Sequence, residues 1–352
     1  MKTWTTSISA LTMLAFGLGL VGPATAQPAD NFYAGKAIQL IISSESGGGF
    51  DTYSRALARF IPKYIPGQPS IVVQYMPGAT GIVAANHLYN IAAKDGTVIG
   101  ALSNSNLLEP LFGNKNTKYE PLNFSWIGSM GKQRAICVTW HSSPIKSWDD
   151  AKSRVVNVSA TGATSNNATL PRLLNHLTGS QFKVITGYST SGMRLAMEKG
   201  EVEGICGLSY QTLIASAPQW FQGNQLTIIG QLGVGESAAL PGVPNVLDLV
   251  KDPVDHEALA LLVLPQEMGR PHVAPPNVPT DRLAMLRKAF DATMKDPEFL
   301  VEAEKMQMII EPLTGDEMNV LLKKAYATPE PVIARAVDLI ATGNDLRTGE
   351  RK

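Results

Sequence analysis

The chain has 352 residues, 44% of them hydrophobic and 17% charged, with 31 Gly and 23 Pro; this is the mixture of a globular α/β protein, too long for one ordinary core, so two domains are expected. The 30 basic residues balance the 30 acidic ones, which argues against a general electrostatic grip on nucleic acid or anionic lipid. Two cysteines and five scattered histidines (His87, His141, His176, His256, His272) have no metal-ligand spacing, and neither a metal nor any other cofactor is expected.

The chain opens as a secretory signal does. Lys2 is its basic start, residues 8–20 (ISALTMLAFGLGL) its apolar run, Gly22 and Pro23 the break, and Ala24-Thr25-Ala26 a small-x-small cleavage site. The run is shorter than the roughly 20 apolar residues a membrane span needs. Cleavage near Ala26 and a mature chain free in the periplasm are therefore expected. Removal of Lys2 leaves the mature net charge near −1.

A strand, a Gly/Ser/Asn-rich turn and a helix then recur. Residues 37–42 (AIQLII) read as a buried strand running into Ser43–Gly49, after which Tyr53, Ala56, Leu57 and Phe60 repeat at helical spacing until Pro62. Residues 70–73 form a second strand, Pro77-Gly78-Ala79-Thr80-Gly81 a turn, the stretch to about 92 a helix, and 97–102 a third strand ending at Ser103-Asn104. This half reads as β-α units on a mainly parallel sheet. Strands at 125–130 and 135–140 flank Gly131-Lys132-Gln133-Arg134. A strand at 155–159 leads through Thr161–Asn167 into a helix, roughly 169–177. Strand 182–185 turns at Gly187–Gly192 into helix 193–199, and strands follow at 203–208, 226–229 and 259–264. A proline-rich stretch precedes helices at 280–294 and 297–305 and a helix start at Thr314. Cys137 and Cys206 both lie in apolar strands, which suits a disulfide or two buried thiols equally.

In open α/β sheets ligands lie beyond the carboxyl ends of strands, where helix N-termini offer unpaired N–H groups to anions. Two turns fit that role, Ser43–Asp51 and Thr161–Asn167. The candidate ligand residues are Ser46, Gly48, Gly49 and Asp51 from the first turn and Thr161, Thr164, Ser165 and Asn166 from the second. Ser103, Asn104, Tyr188 and Ser209 rank behind them. Each turn is equally readable as a plain β-α connection, and Asp51 as a helix cap. Glu45 repels an anion unless it faces solvent or meets a donor on the ligand. Phe50, Tyr53 and Tyr188 are candidates for an apolar wall, or for core. Arg134 is a candidate counter-charge, its plainer reading being an exposed arginine. Gly47-Gly48-Gly49 lacks the Gly-Lys-Ser/Thr ending of a phosphate loop. Gly187-Tyr188-Ser189-Thr190-Ser191 misses a nucleophile elbow by one residue, and nothing places His176, His256 or His272 beside a serine. An exported hydrolase is therefore the weaker alternative.

The segments LIISSESGGGFDTYSRALARFI and IVVQYMPGATGIVAANHLYNIAAKDGTVIGAL, with GYSTSGMRLAMEKGEVEGICG in the second half, resemble the TctC (Bug-type) extracytoplasmic solute receptors over essentially the whole mature chain. The resemblance implies a type II two-domain periplasmic binding fold with a cleft between domains and no catalysis. Chain crossings near Gly131 and Gln231 would give domain 1 as 27–130 with 232–352 and domain 2 as 131–231, after a signal over 1–26. It implies a bound di- or tricarboxylate or aromatic acid, delivery to a large and a small membrane subunit of a tripartite transporter, and a monomer with no nucleic-acid partner. A sensor presenting the same domain to a membrane signalling protein is the alternative of another class. The chain departs from the family pattern at Ser43-Ser44 (usually Pro-Phe), at Glu45 (usually uncharged) and at Tyr75 (commonly Asn).

Overall fold

The computed structural model describes residue 1 and residues 31–162, 165–235, 237 and 239–345; the signal read over 1–26 lies outside them apart from Met1. The chain runs β1 (Ala37–Ile42), α1 (Gly49–Phe60), β2 (Ser70–Tyr75), α2 (Ile82–Asn90), β3 (Val98–Ala101), β4 (Ser125–Ser129), β5 (Ala135–Trp140), α3 (Trp148–Ser153), β6 (Val156–Ser159), α4 (Asn166–Thr178), β7 (Phe182–Ile185) and α5 (Thr190–Glu198). It continues β8 (Gly204–Ser209), α6 (Tyr210–Ser216), α7 (Pro218–Gln222), β9 (Leu226–Leu232), α8 (Pro253–Val263), β10 (Pro271–Ala274), α9 (Thr280–Thr293), α10 (Pro297–Lys305), β11 (Leu313–Thr314), α11 (Gly315–Tyr326) and α12 (Glu330–Asp345).

Two sheets result, with strand orders β11-β4-β10-β3-β1-β2 and β7-β6-β8-β5-β9. In the first, β1 pairs parallel with β2 and β3, as the β-α rhythm predicts, and β10 inserts antiparallel between β3 and β4. In the second, β6 is parallel to β7 and β8, and β5 is antiparallel to β8 and β9. The run of apolar residues in β1 follows from helices on both of its faces. Ile38, Leu40 and Ile42 pack with Tyr53, Ala56 and Leu57 of α1, whereas Ile41 points the other way, onto Ile82, Ala85 and Leu88 of α2. Each buried isoleucine or leucine among them contributes about 2 kcal/mol.

Three features differ from the sequence reading. Residues 259–264, read as a strand, belong to α8 and the turn after it. Asp252 caps that helix by accepting from the N–H groups of Val254 and Asp255, Pro253 occupies its first turn, and an apolar run buried in a core carries no period that separates strand from helix. The proline-rich stretch hides β10, whose first residue is Pro271. The segment 232–352 does not pack as one unit: β10, β11, α9, α10 and α11 surround the first sheet, but α12 packs against α8 and α4, and α8 and α12 join the core of the second sheet. Cys137 and Cys206, opposite one another in the β5–β8 pairing, are joined by a disulfide and are buried.

The two segments that cross between the sheets, 130–134 from β4 to β5 and 264–270 from α8 to β10, lie side by side. The N–H of Gln133 donates to the carbonyl of Gln266 (2.8 Å), and that of Ala135 to the side-chain oxygen of Gln266 (2.8 Å). Gly269 makes this contact possible, since a Cβ there would stand 2.8 Å from the backbone of both Gln133 and Gly131. Lys132 (3.1 Å) and Arg134 (3.5 Å) of one crossing both pair with Glu267 of the other.

Candidate functional site

Both Gly/Ser turns open a helix at the carboxyl end of a parallel strand. Gly48 precedes α1 with extended backbone, as Ser165 precedes α4; Gly48 has no side chain to cap its helix, and that of Ser165 does not cap α4. The start of α2, after Gly81, is uncapped too. By contrast Ser189, Ser209, Asp252, Asp296 and Thr314 each accept a first-turn N–H in the helices they precede. Uncapped starts keep backbone N–H groups and partial positive charge turned outward, which suits an anion.

The first turn is held from within. The Asp51 carboxylate is buried; its Oδ2 accepts from the Gly47 N–H (2.7 Å) and the Ser46 hydroxyl (3.3 Å), and its Oδ1 from the Tyr75 hydroxyl (2.8 Å). Asp51 thus braces the turn by reaching back past Gly48, and Tyr75, a departure from the family pattern, completes the brace. Ser43, another departure, is buried and accepts the Ser103 N–H on its hydroxyl (2.8 Å), tying the end of β1 to the end of β3. Glu45, Ser46, Gly47 and Gly48 are exposed.

Ser103 also shares a hydrogen bond with Ser105 (2.9 Å), and the Asn104 amide donates to the Pro265 carbonyl (3.0 Å). In the second turn the N–H and hydroxyl of Thr161 both donate to Asn167 Oδ1 (3.2 and 3.3 Å), and the Ser165 hydroxyl donates to the Gly162 carbonyl (2.7 Å). Asn166 is exposed at the first position of α4, and Thr164 lies outside the described residues. Tyr188 is half-buried, packed on the Met193–Trp220 cluster. Ser209 ends β8 and accepts from the Thr212 N–H (3.4 Å). The candidates therefore gather in two groups. Ser46, Gly48, Gly49, Asp51, Ser103 and Asn104 sit beyond β1 and β3. Thr161, Ser165, Asn166, Tyr188 and Ser209 sit beyond β6, β7 and β8.

Arg134 is neither exposed nor free to meet a ligand. It is buried, pairs with Glu267 and donates to the carbonyls of Gly235 (3.2 Å) and Val234 (3.4 Å), so it braces the crossing. Sequence reasoning missed Arg270, which follows Gly269 and leads into the unrecognised strand β10. Its guanidinium lies over the rings of Phe50 (4.6 Å to the centroid) and Tyr53 (4.9 Å), which makes those two aromatics its support. The side-chain oxygen of Gln133 accepts from its Nη1 (2.6 Å) and Nη2 (3.0 Å). Burial pulls the Arg270 pKa down to about 10, the Tyr53 ring opposing in part. Burial also holds His272 neutral, its pKa lowered to about 4; it contacts Ser54 (3.4 Å) inside the core. The Ser189 hydroxyl is engaged as the cap of α5.

The family model of the tripartite tricarboxylate transporter family receptor, TctC, matches residues 54–334. The chain belongs to the TctC family. TctC proteins are solute-binding receptors of transporters rather than enzymes, which removes the hydrolase alternative. A TctC solute binding protein from Polaromonas, solved without ligand, is similar with a TM-score of 0.65 at 19% identity, over 88% of this chain and 99% of its own. MatC from Rhodopseudomonas palustris, solved with bound malate, gives 0.59 at 17% identity over 87% and 99%. A second R. palustris protein, solved with adipate, gives 0.58 at 15% identity over 88% and 97%. At such identities the likeness establishes the two-domain periplasmic-binding fold of this TctC chain. No curated protein matches it in sequence.

Proposed function

We propose that this TctC receptor works as a monomer in the periplasm after cleavage near Ala26. It closes two lobes on a small carboxylate, a di- or tricarboxylate or an aromatic acid, and delivers it to the large and small membrane subunits of a tripartite transporter. The observation that carries the reading is the pair of uncapped helix starts, α1 after Gly48 and α4 after Ser165, one beside each sheet. Malate and adipate in the two R. palustris relatives support the ligand class.

On this reading Gly48, Gly49 and Asn166 present backbone N–H groups. Ser46, Thr161, Ser165, Tyr188, Ser103, Asn104 and Ser209 line the cleft, and Asp51 keeps the first turn in shape. One lobe comprises 31–130 with 264–329 and the other 131–263 with 330–345, a division that follows the packing of α8 and α12. The test is a thermal-shift screen of the mature protein, unfolded and refolded to strip carried-over ligand, against citrate, C4–C8 dicarboxylates, aromatic acids, amino acids and sugars. A ligand at 100 times its Kd adds about 2.7 kcal/mol. A rise confined to one acid class is expected. A rise with a sugar, and none with any acid, overturns the reading.

A further inference from the structure

Arg270 stands at the cleft edge of the first sheet. Its N–H donates to the Ser129 hydroxyl at the end of β4 (3.0 Å), its carbonyl accepts from Met130 (3.1 Å), and the next carbonyl, of Pro271, accepts from Leu102 just beyond β3 (3.3 Å). From there the side chain reaches the start of α1. A Cβ on Gly49 would stand 2.8 Å from Nη2, so only glycine at the first residue of α1 lets the guanidinium lie against that backbone.

The placement is electrostatically costly. Arg270 is 4% exposed, yet among the described residues every ion pair involves some other cation. Arg134, buried to the same degree, has Glu267. The nearest acid in sequence to the α1 start, Asp51, spends both oxygens on Gly47, Ser46 and Tyr75. Arg270 has only a neutral amide, Gln133, and two ring faces. A buried cation lacking an acid is unfavourable, and the positive end of a helix beside it adds to the cost. An anion at the α1 start relieves both. The stacking on Phe50 and Tyr53 holds the planar fork in one orientation, which suits bidentate capture of a carboxylate.

We propose that the Arg270 guanidinium, beside the uncapped start of α1, is the cation that receives one carboxylate of the ligand. The inference rests on the carboxylate-receptor reading and adds the specificity-determining residue. It has three consequences. Arg270→Met weakens binding of an acid about 100-fold and Arg270→Lys about 10-fold, because a lysine supplies charge without the fork. Arg270→Met leaves the ligand-free protein at least as resistant to heat as the wild type, since it removes an unpaired buried charge. Gln133→Glu places an acid of the protein's own against Arg270, which raises the ligand-free melting midpoint and weakens the ligand about 10-fold or more.

The experiment is isothermal titration of refolded wild type, Arg270→Met, Arg270→Lys and Gln133→Glu with succinate, malate, adipate, citrate and benzoate. Whichever acid binds the wild type is repeated as its monoamide (for benzoate, benzamide). The wild type is expected to prefer acid over amide, and Arg270→Met to lose that preference. Should Arg270→Met not fold, Arg270→Lys and Gln133→Glu decide. If an acid binds the wild type and the folded variants keep its affinity within twofold, the assignment of Arg270 is overturned while the carboxylate reading stands. If none of the acids binds the wild type, the carboxylate reading itself falls, and the assignment with it.

Discussion

Removing the Tyr75 hydroxyl should loosen the first turn by an amount the geometry sets. In Tyr75→Phe the Asp51 carboxylate loses its 2.8 Å contact on Oδ1 and keeps Gly47 and Ser46 on Oδ2. A hydrogen bond to a charged group contributes about 1.5–3 kcal/mol. Tyr75 is half-exposed, so water replaces part of the loss, and a cost of about 1.5 kcal/mol is expected. Asp51→Ala removes all three contacts and strands the Gly47 N–H, for about 3 kcal/mol. The two substitutions act on one contact, so Tyr75→Phe should cost little more once Asp51 is alanine, a coupling of about 1.5 kcal/mol. Urea unfolding of the four proteins measures this cycle, and hydrogen exchange at Gly47 reports the turn directly. Additive losses, or unchanged protection of the Gly47 amide in Asp51→Ala, refute the bracing role.

Further outcomes follow from other parts of the fold. His272 stays neutral until about pH 4, whereas an unfolded histidine protonates near 6.5, so the unfolded chain gains the proton first as pH falls. Stability is unaffected above that range and is lost between pH 6.5 and 4 by up to about 3 kcal/mol; urea midpoints across pH should flatten there in His272→Gln. The Cys137–Cys206 disulfide closes a loop of 69 residues, and replacing both cysteines by alanine should lower stability by about 4 kcal/mol, read from the urea midpoint under oxidising conditions. Gly81→Ala puts a methyl 2.7 Å from Asn106 Nδ2 at a backbone φ of 94°, and should destabilise by about 2 kcal/mol or more in the same assay.

Much of the architecture was legible because local pattern and tertiary role agree. The β1 run, the spacing of Tyr53, Ala56, Leu57 and Phe60, and the helix start at Thr314 all mean in the fold what they mean in the sequence. What was illegible depends on partners far away in the chain. Residues 259–264 are apolar throughout because they are enclosed by α12 and the core of the second sheet, and such a run has no readable period. Pro271 reads as a breaker, but it lies at the end of a strand pair, where its missing N–H costs little. Losing β10 from view also hid Arg270, the residue just before it. For Arg134, neither the exposed nor the ligand-facing reading foresaw Glu267, 133 residues away. The cysteine pairing needed the β5–β8 register, which no local signal supplies.

The placement of β10 and α12 bears on when the protein can fold as it is made. The first sheet is interrupted between β3 and β4 until residues 271–274 arrive, and the second core stays uncovered until 330–345 arrive. A chain emerging N-terminus first therefore cannot finish either half before almost all of it exists. Closing such distant contacts is slow. The order of the elements thus makes completion of both halves a late event in the synthesis of the chain.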